Sequence, residues 1–330
     1  MKNATPCYSQ VRLQDINLVD RTYILNPFIQ EPDQGLLQSI SSFGILHPPL
    51  LLQKQDSTYI ILSGRRRIEV HLQVSNKALG CQQEQKGNEY ITALTLPFVN
   101  KEEEANRRCL FTTLLQHQLL GKSLTMIEQA VFFQKASQFL NEQEILTLLP
   151  MLGLKAKPHI PGELISLLDL EPAVQLGLHN GVISQRSGKK LSRLAPADQK
   201  QLAEVIGEYQ IGGSKQQNLI ERFFQLTQRE QVSVEVLLAR WQDKEKDKQL
   251  NGPQRISSLL RWLDRECQPR LTQAEEAFRK FCNQLQLPAG VRLEHSLSFE
   301  EEQVTLSMDF SRKEELAEIW PQLEALLKQE

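Results

Sequence analysis

The chain has 330 residues, 40% of them apolar, which is enough for two or three domains that each bury a core. A formal net charge of −2 excludes a protein that is basic throughout, so any nucleic-acid face has to be local. No basic start followed by an apolar run and a small-residue cleavage site opens the sequence, and no apolar stretch approaches the roughly 18 residues of a membrane span, so a cytoplasmic protein with no membrane contact is expected.

Residues 11 to 30 are mixed, and Asn26-Pro27-Phe28 with Pro32 reads as a loop leading to a helix. That helix is "DQGLLQSISSFG", where Leu36, Leu37, Ile40 and Phe43 recur at helical spacing and Gly44 supplies the stop. The apolar runs "PPLLLQ" and "TYIILSG" around the polar "KQDS" predict a strand pair with a turn. Ser63 and Gly64 then lead into Arg65, Arg66 and Arg67, which open a helix with Ile68 and Leu72 on its buried side. The polar stretch 76–89 reads as a surface loop and "YITALTLPFV" as a further strand. Residues 1–100 are thus expected to form a small α+β domain.

From residue 101 to 239 the pattern is helical, with breaks at Gly121, Gly153, Pro158 to Gly162, Pro172, Gly181, Pro196 and Gly212-Gly213. Residues 240–269 alternate charges around Asn251-Gly252-Pro253 and read as a charged linker with a helix end. Residues 270–330 give helix, strand, strand, helix. Val291, Leu293, Leu297 and Phe299 alternate, as do Val304, Leu306, Met308 and Phe310, and Ser311 is expected to cap the last helix with Glu314 closing a capping box. A two-stranded hairpin with two helices is a thin layer for this apolar content, so a homodimer through 270–330 is expected. The five cysteines, Cys7, Cys81, Cys109, Cys267 and Cys282, are odd in number and scattered, which suggests neither a disulfide framework nor a zinc knuckle.

The arginine run asks for a physical reason. A strand running into a helix exposes unpaired N–H groups and the positive end of the helix dipole, so three cations there conflict with the field by roughly 0.3–1 kcal/mol each unless something negative is near. Two readings follow from the residues: a phosphate held by bidentate guanidinia, or a solvated basic turn with Glu69 as counter-charge.

The run from Asn26 to Val70 resembles the N-terminal domain of the ParB chromosome- and plasmid-partition proteins, where a helix, a Gly-x-x-Gln-Pro turn and a strand lead into a Gly-Glu-Arg-Arg box. Gly44, Pro48, Gly64, Arg66 and Arg67 match that pattern. "LTMIEQA" and "LLDLEPAVQLGLHNGVIS" look like the family's central helical domain, and "VTLSMDFSRKEELAEIW" is similar to its C-terminal dimerisation module. The resemblance implies a ParB/sulfiredoxin-like α+β fold, a helix-turn-helix domain and an αββα dimer module. It implies that Ser63, Gly64, Arg65, Arg66 and Arg67 hold the triphosphate of CTP with magnesium beside it, in a CTPase-type switch that closes a DNA-loaded dimer. It also implies a ParA-type ATPase partner engaged by a basic N-terminal tail, which here carries only Lys2 and Arg12.

The chain departs from the pattern at named positions. Arg65 stands where the family has glutamate, while His117, Gln118 and Gly121 stand where it has glutamate, asparagine and arginine. That segment offers a magnesium ion no carboxylate before Glu128. The expected helix-turn-helix spans 141–170 with Gly153 at the turn and a short recognition helix starting near Pro161, and Lys155, Lys157 and His159 are its DNA-facing candidates. Arg186, Lys189, Lys190 and Arg193, spaced i, i+3, i+4 and i+7, are read as one helix face for phosphates or for solvent. A lone His117 reads as a helix-surface residue. The leading function is a nucleoid-associated, DNA-binding partition protein. The alternatives are a protein-interaction adaptor that kept the scaffold, or a nuclease on the same fold.

Overall fold

Residues 5–28, 34–79, 90–97, 104–121, 123–245, 251–285, 291–296 and 303–327 are described by the computed structural model, and their contacts group into a unit 1–220 and a unit 221–330. The first begins with β1 (Cys7–Arg12) and the two-residue β2 (Ile16–Asn17), followed by α1 (Gln34–Phe43), β3 (Leu50–Gln53), β4 (Tyr59–Ser63), α2 (Arg65–Leu79) and β5 (Tyr90–Leu96). The strands make one mixed sheet in the order β1-β5-β3-β4-β2. β3 and β4 are the expected antiparallel pair, with Leu51 opposite Ile61 and Leu52 opposite Ile60. Their turn closes through Lys54 N–H to the Thr58 carbonyl at 2.7 Å, and Asp56 accepts from both Thr58 N–H and its hydroxyl. Leu50, Leu51 and Leu52 are all buried because β3 lies inside the sheet with layers on both faces, the arrangement that produces a continuous apolar run. β1 pairs antiparallel with β5 although its sequence has no alternation, since Val11 is its one buried residue.

Helices α3 (Glu104–Leu119), α4 (Met126–Ala136), α5 (Glu142–Leu148), α6 (His159–Ile165), α7 (Pro172–His179), α8 (Gln185–Leu191), α9 (Pro196–Glu208) and α10 (Gly213–Glu230) follow. Phe111, Phe132 and Phe133 are fully buried in this region, with ring centroids 5.9 Å apart between the first two and 5.3 Å between the last two. The segment before α1 joins them: Tyr23 lies 6.3 Å from Phe111, Thr22 accepts from Lys135 Nζ at 2.6 Å, and Phe28 lies 5.0 Å from His179. The expected boundary near residue 100 therefore falls inside one unit.

Four of these helices start with the same device. Gln129, Gln175, Gln199 and Gln216 each occupy the fourth helical position and donate to the carbonyl five residues back, on Leu124, Leu170, Leu194 and Ile211, at 2.9, 2.7, 3.0 and 2.7 Å. All four acceptor residues are buried. The pair occupies the positions of a hydrophobic staple, with an amide replacing its second apolar partner. Two of the amides also reach across the chain: Gln199 accepts from Glu171 N–H, and Gln216 accepts from Ser184 N–H while donating to Val182.

In the second unit, the end of α10 is followed by α11 (Val234–Glu245), α12 (Gly252–Cys267), α13 (Pro269–Leu285), β6 (Val291–His295), β7 (Val304–Met308) and α14 (Lys313–Leu327). The stretch read as a charged linker, 240–269, holds the end of α11 and the whole of α12, whose Ile256, Leu259, Trp262 and Leu263 are buried behind an Asn251–Gln254 capping box. Its charges find partners, Asp264 with Arg222 at 3.0 Å through buried atoms and, at the surface, Glu266 with Lys244 at 2.9 Å. β6 and β7 form the expected hairpin with Leu293 opposite Leu306. Ser311 N–H bonds to the carboxylate of Glu315 at 3.2 Å, so the closing acid is Glu315 and not Glu314. No residue of α13 is buried, and Phe281, Leu306 and Trp320 are about half exposed. Among the described residues no helix is long and apolar enough to cross a membrane.

Candidate nucleic-acid interface and the arginine junction

Ser63 ends β4 in the interior, and Gly64 turns the chain with φ +91°. A Cβ at Gly64 would stand 2.9 Å from Pro49 Cβ and 3.1 Å from Arg67 Nη2, so both backbone angle and space require glycine. The Gly64 carbonyl accepts from Arg67 N–H at 3.0 Å and Ile68 N–H at 3.3 Å, starting α2. The three arginines then diverge. Arg65 donates to the main-chain carbonyls of Leu18, at 2.5 Å, and Asp20, and pairs with Glu69 at 3.6 Å. Arg67 donates to the carbonyl of His47 and lies 3.5 Å from that of Pro48. Arg66 faces outward and is exposed.

Carbonyl dipoles thus supply, from within the chain, much of the negative potential the helix start calls for. Burial lowers the pKa of Arg67 from its ordinary value. His117 belongs to this junction and not to the open surface. α3 packs on β4, which leaves the ring half-buried with Nε2 3.3 Å from the Pro48 carbonyl. Burial, and then the charge of Arg67, push its pKa below the usual histidine value. A cavity of about 420 Å³ between α1 and α2 is lined by Leu37, Gln38, Ser41, Ser42, Gln73 and Val74, with no cation among them. Of the three guanidinia, those of Arg65 and Arg67 bond main-chain carbonyls, while Arg66 is the exposed one. Among the described residues no three His, Cys, Asp or Glu side chains gather as a metal site.

The helical region holds the second candidate. α5 is opened by an Asn141–Glu144 capping box and closed by a 3₁₀ turn, Leu149–Leu152, and Gly153 at φ +72°. Lys155 and Lys157 are exposed in the connection, and α6 begins at His159, two residues before the expected Pro161, and runs for seven residues. Pro161 sits in the first turn, where its missing N–H costs nothing, and is buried together with Leu164. His159, Gly162 and Glu163 face outward.

α8 starts at the Ser184 cap, with Ser187, Gly188 and Leu191 packed inward and Arg186 and Lys189 exposed. Lys190 is half-buried, and Arg193 lies beyond the helix end, so the expected four-residue face is three residues on the helix and one after it. Lys189 Nζ stands 2.5 Å from Glu163 Oε2, which joins α8 to the outer side of α6. Glu163 went unnoticed in the sequence because its partner lies 26 residues away and no local pattern links them.

No protein-family model matches the sequence, and no curated protein matches it. Among solved structures, it is similar to the C-terminally truncated chromosome-partitioning protein ParB from Caulobacter crescentus complexed with CTP-γ-S, at 16% identity and TM-score 0.26 over 61% of this chain and 98% of that one. It is also similar to the truncated Caulobacter ParB complexed to the centromeric parS site, at 16% identity and TM-score 0.28 over 64% of this chain and 97% of that one. Both superpositions are loose.

Proposed function

We propose that this chain is a ParB-type DNA-binding protein that acts as a dimer through 270–330. The observation that carries the reading is the Lys189–Glu163 contact. It links Lys189 of α8 to the outer side of α6, where His159 is exposed, and the exposed Lys155, Lys157 and Arg186 lie close by along the chain, so we read these five as one basic surface in a chain whose net charge is negative. Such a surface suits phosphate contacts that fix register, while a seven-residue α6 limits base contacts to a few side chains. The half-exposed Leu306, Trp320 and Phe281 of the αββα module support a second copy as its cover, since a two-stranded hairpin is marginal alone.

A second reading is favoured by the junction. With Arg65 and Arg67 engaged by main-chain carbonyls, the arginine box works as an internal clasp, and the scaffold serves as an adaptor without nucleotide switching. Binding of labelled random duplex DNA and of labelled CTP separates the two. Duplex binding whose affinity falls with salt at a slope of about −0.9 per phosphate contact supports the DNA reading. No duplex binding at about 50 mM salt overturns it. CTP binding that Arg66→Ala abolishes would restore the nucleotide switch, and its absence leaves the clasp. A ParA-type partner and nucleoid association belong to the same reading.

A further inference from the structure

Glu163 is an exposed carboxylate one turn after the exposed His159, and Lys189 reaches it from α8, so both of its charged neighbours are basic side chains. The hydrogen bond from Lys189 holds its carboxyl below the usual glutamate value, with the charge of His159 acting in the same direction more weakly. Both side chains are 44% exposed, and ion pairs that open to water add little to stability, so holding the fold together does not explain the pair. The neighbouring Gly162 sharpens the point. A Cβ there would meet nothing within 4 Å, so packing does not call for glycine, yet glycine inside a helix costs about 1 kcal/mol relative to alanine. Bare backbone beside an outward carboxylate is what close approach by another surface requires.

Resting on the DNA-binding reading, we propose that Glu163 is a specificity-determining residue, an anionic gate that keeps Lys189 away from the phosphates of non-cognate duplex DNA. Held by Glu163, Lys189 releases no counterion on binding, and the carboxylate itself repels the backbone. Cognate DNA is then a duplex that offers Glu163 an amino donor in the major groove, such as cytosine N4. Accepting that bond takes the carboxylate off Lys189 and frees the lysine for a phosphate.

The test measures random-sequence duplex binding by fluorescence anisotropy between about 50 and 200 mM salt for the full chain, Glu163→Gln, and Glu163→Gln with Lys189→Gln. Glu163→Gln is expected to bind about 3- to 10-fold more tightly at 0.1 M salt, with a log–log salt slope steeper by about 0.9, and the double variant to return the slope to that of the parent. Equal affinity and slope for the parent and Glu163→Gln would overturn the gate and leave the DNA reading intact. No binding by either at the lowest salt overturns both, whereas binding by Glu163→Gln alone supports the gate. Glutamine keeps the shape of an exposed side chain, and matching circular dichroism verifies that the fold is unchanged.

Discussion

The helices of the first unit and the αββα module at the C-terminus solve the burial problem in opposite ways. Around Phe111, Phe132 and Phe133 the chain buries its aromatic rings completely, and at the start of four helices it uses glutamine amides to satisfy the main chain. The module has the same kinds of residues in a good alternating pattern, yet Val304 is 47% and Trp320 52% exposed. Pattern alone therefore does not make a core. Depth does, and two strands with two helices lack it unless a second layer covers them.

Substitutions on the two sides should differ accordingly. Phe132→Ala removes a fully buried ring packed on two others and is expected to cost about 3–5 kcal/mol, read from urea unfolding. A loss under about 1 kcal/mol would mean that this interior is looser than its burial implies. Gln216→Ala comes next, at about 2–3 kcal/mol, because it orphans Ser184 N–H and the carbonyls of Val182 and Ile211. The effect should equal or exceed that of Gln129→Ala, which removes the bond to the Leu124 carbonyl. Leu306→Asp is the smallest in folding terms, shifting the unfolding of the first unit by less than about 0.5 kcal/mol. In light scattering, however, it should reduce a dimer mass to that of one chain. A dimer that survives it would move the interface elsewhere.

Periodicity explains how much of this was legible. The hairpin of β3 and β4, α1 with its Gly44 stop, and the order of the αββα module all follow from apolar spacing and turn residues. β1 did not, because a strand with one inward side chain leaves no period to read. α12 hid behind its charges: Arg255, Arg261, Arg265 and Asp264 dominate the eye, while Ile256, Leu259, Trp262 and Leu263 form the buried stripe. At the candidate sites, sequence spacing located the arginine junction and the exposed lysines. It could not show where a long side chain would turn, so the carbonyl partners of Arg65 and Arg67, the inward place of His117 and the pairing of Glu163 with Lys189 emerged only in three dimensions. The recurrent glutamine was visible as residues but not as a motif, since the helix sequences around it differ.

By reaching back to Leu18 and Asp20 on one side and to His47 on the other, Arg65 and Arg67 rivet the start of α2 to strands of chain 45 or more and 20 residues away. An anion arriving from outside would have to outbid these carbonyls, stripping them bare as it did so. The junction is thus its own competitive inhibitor, and its grip on any visitor is weakened by how well it already holds itself.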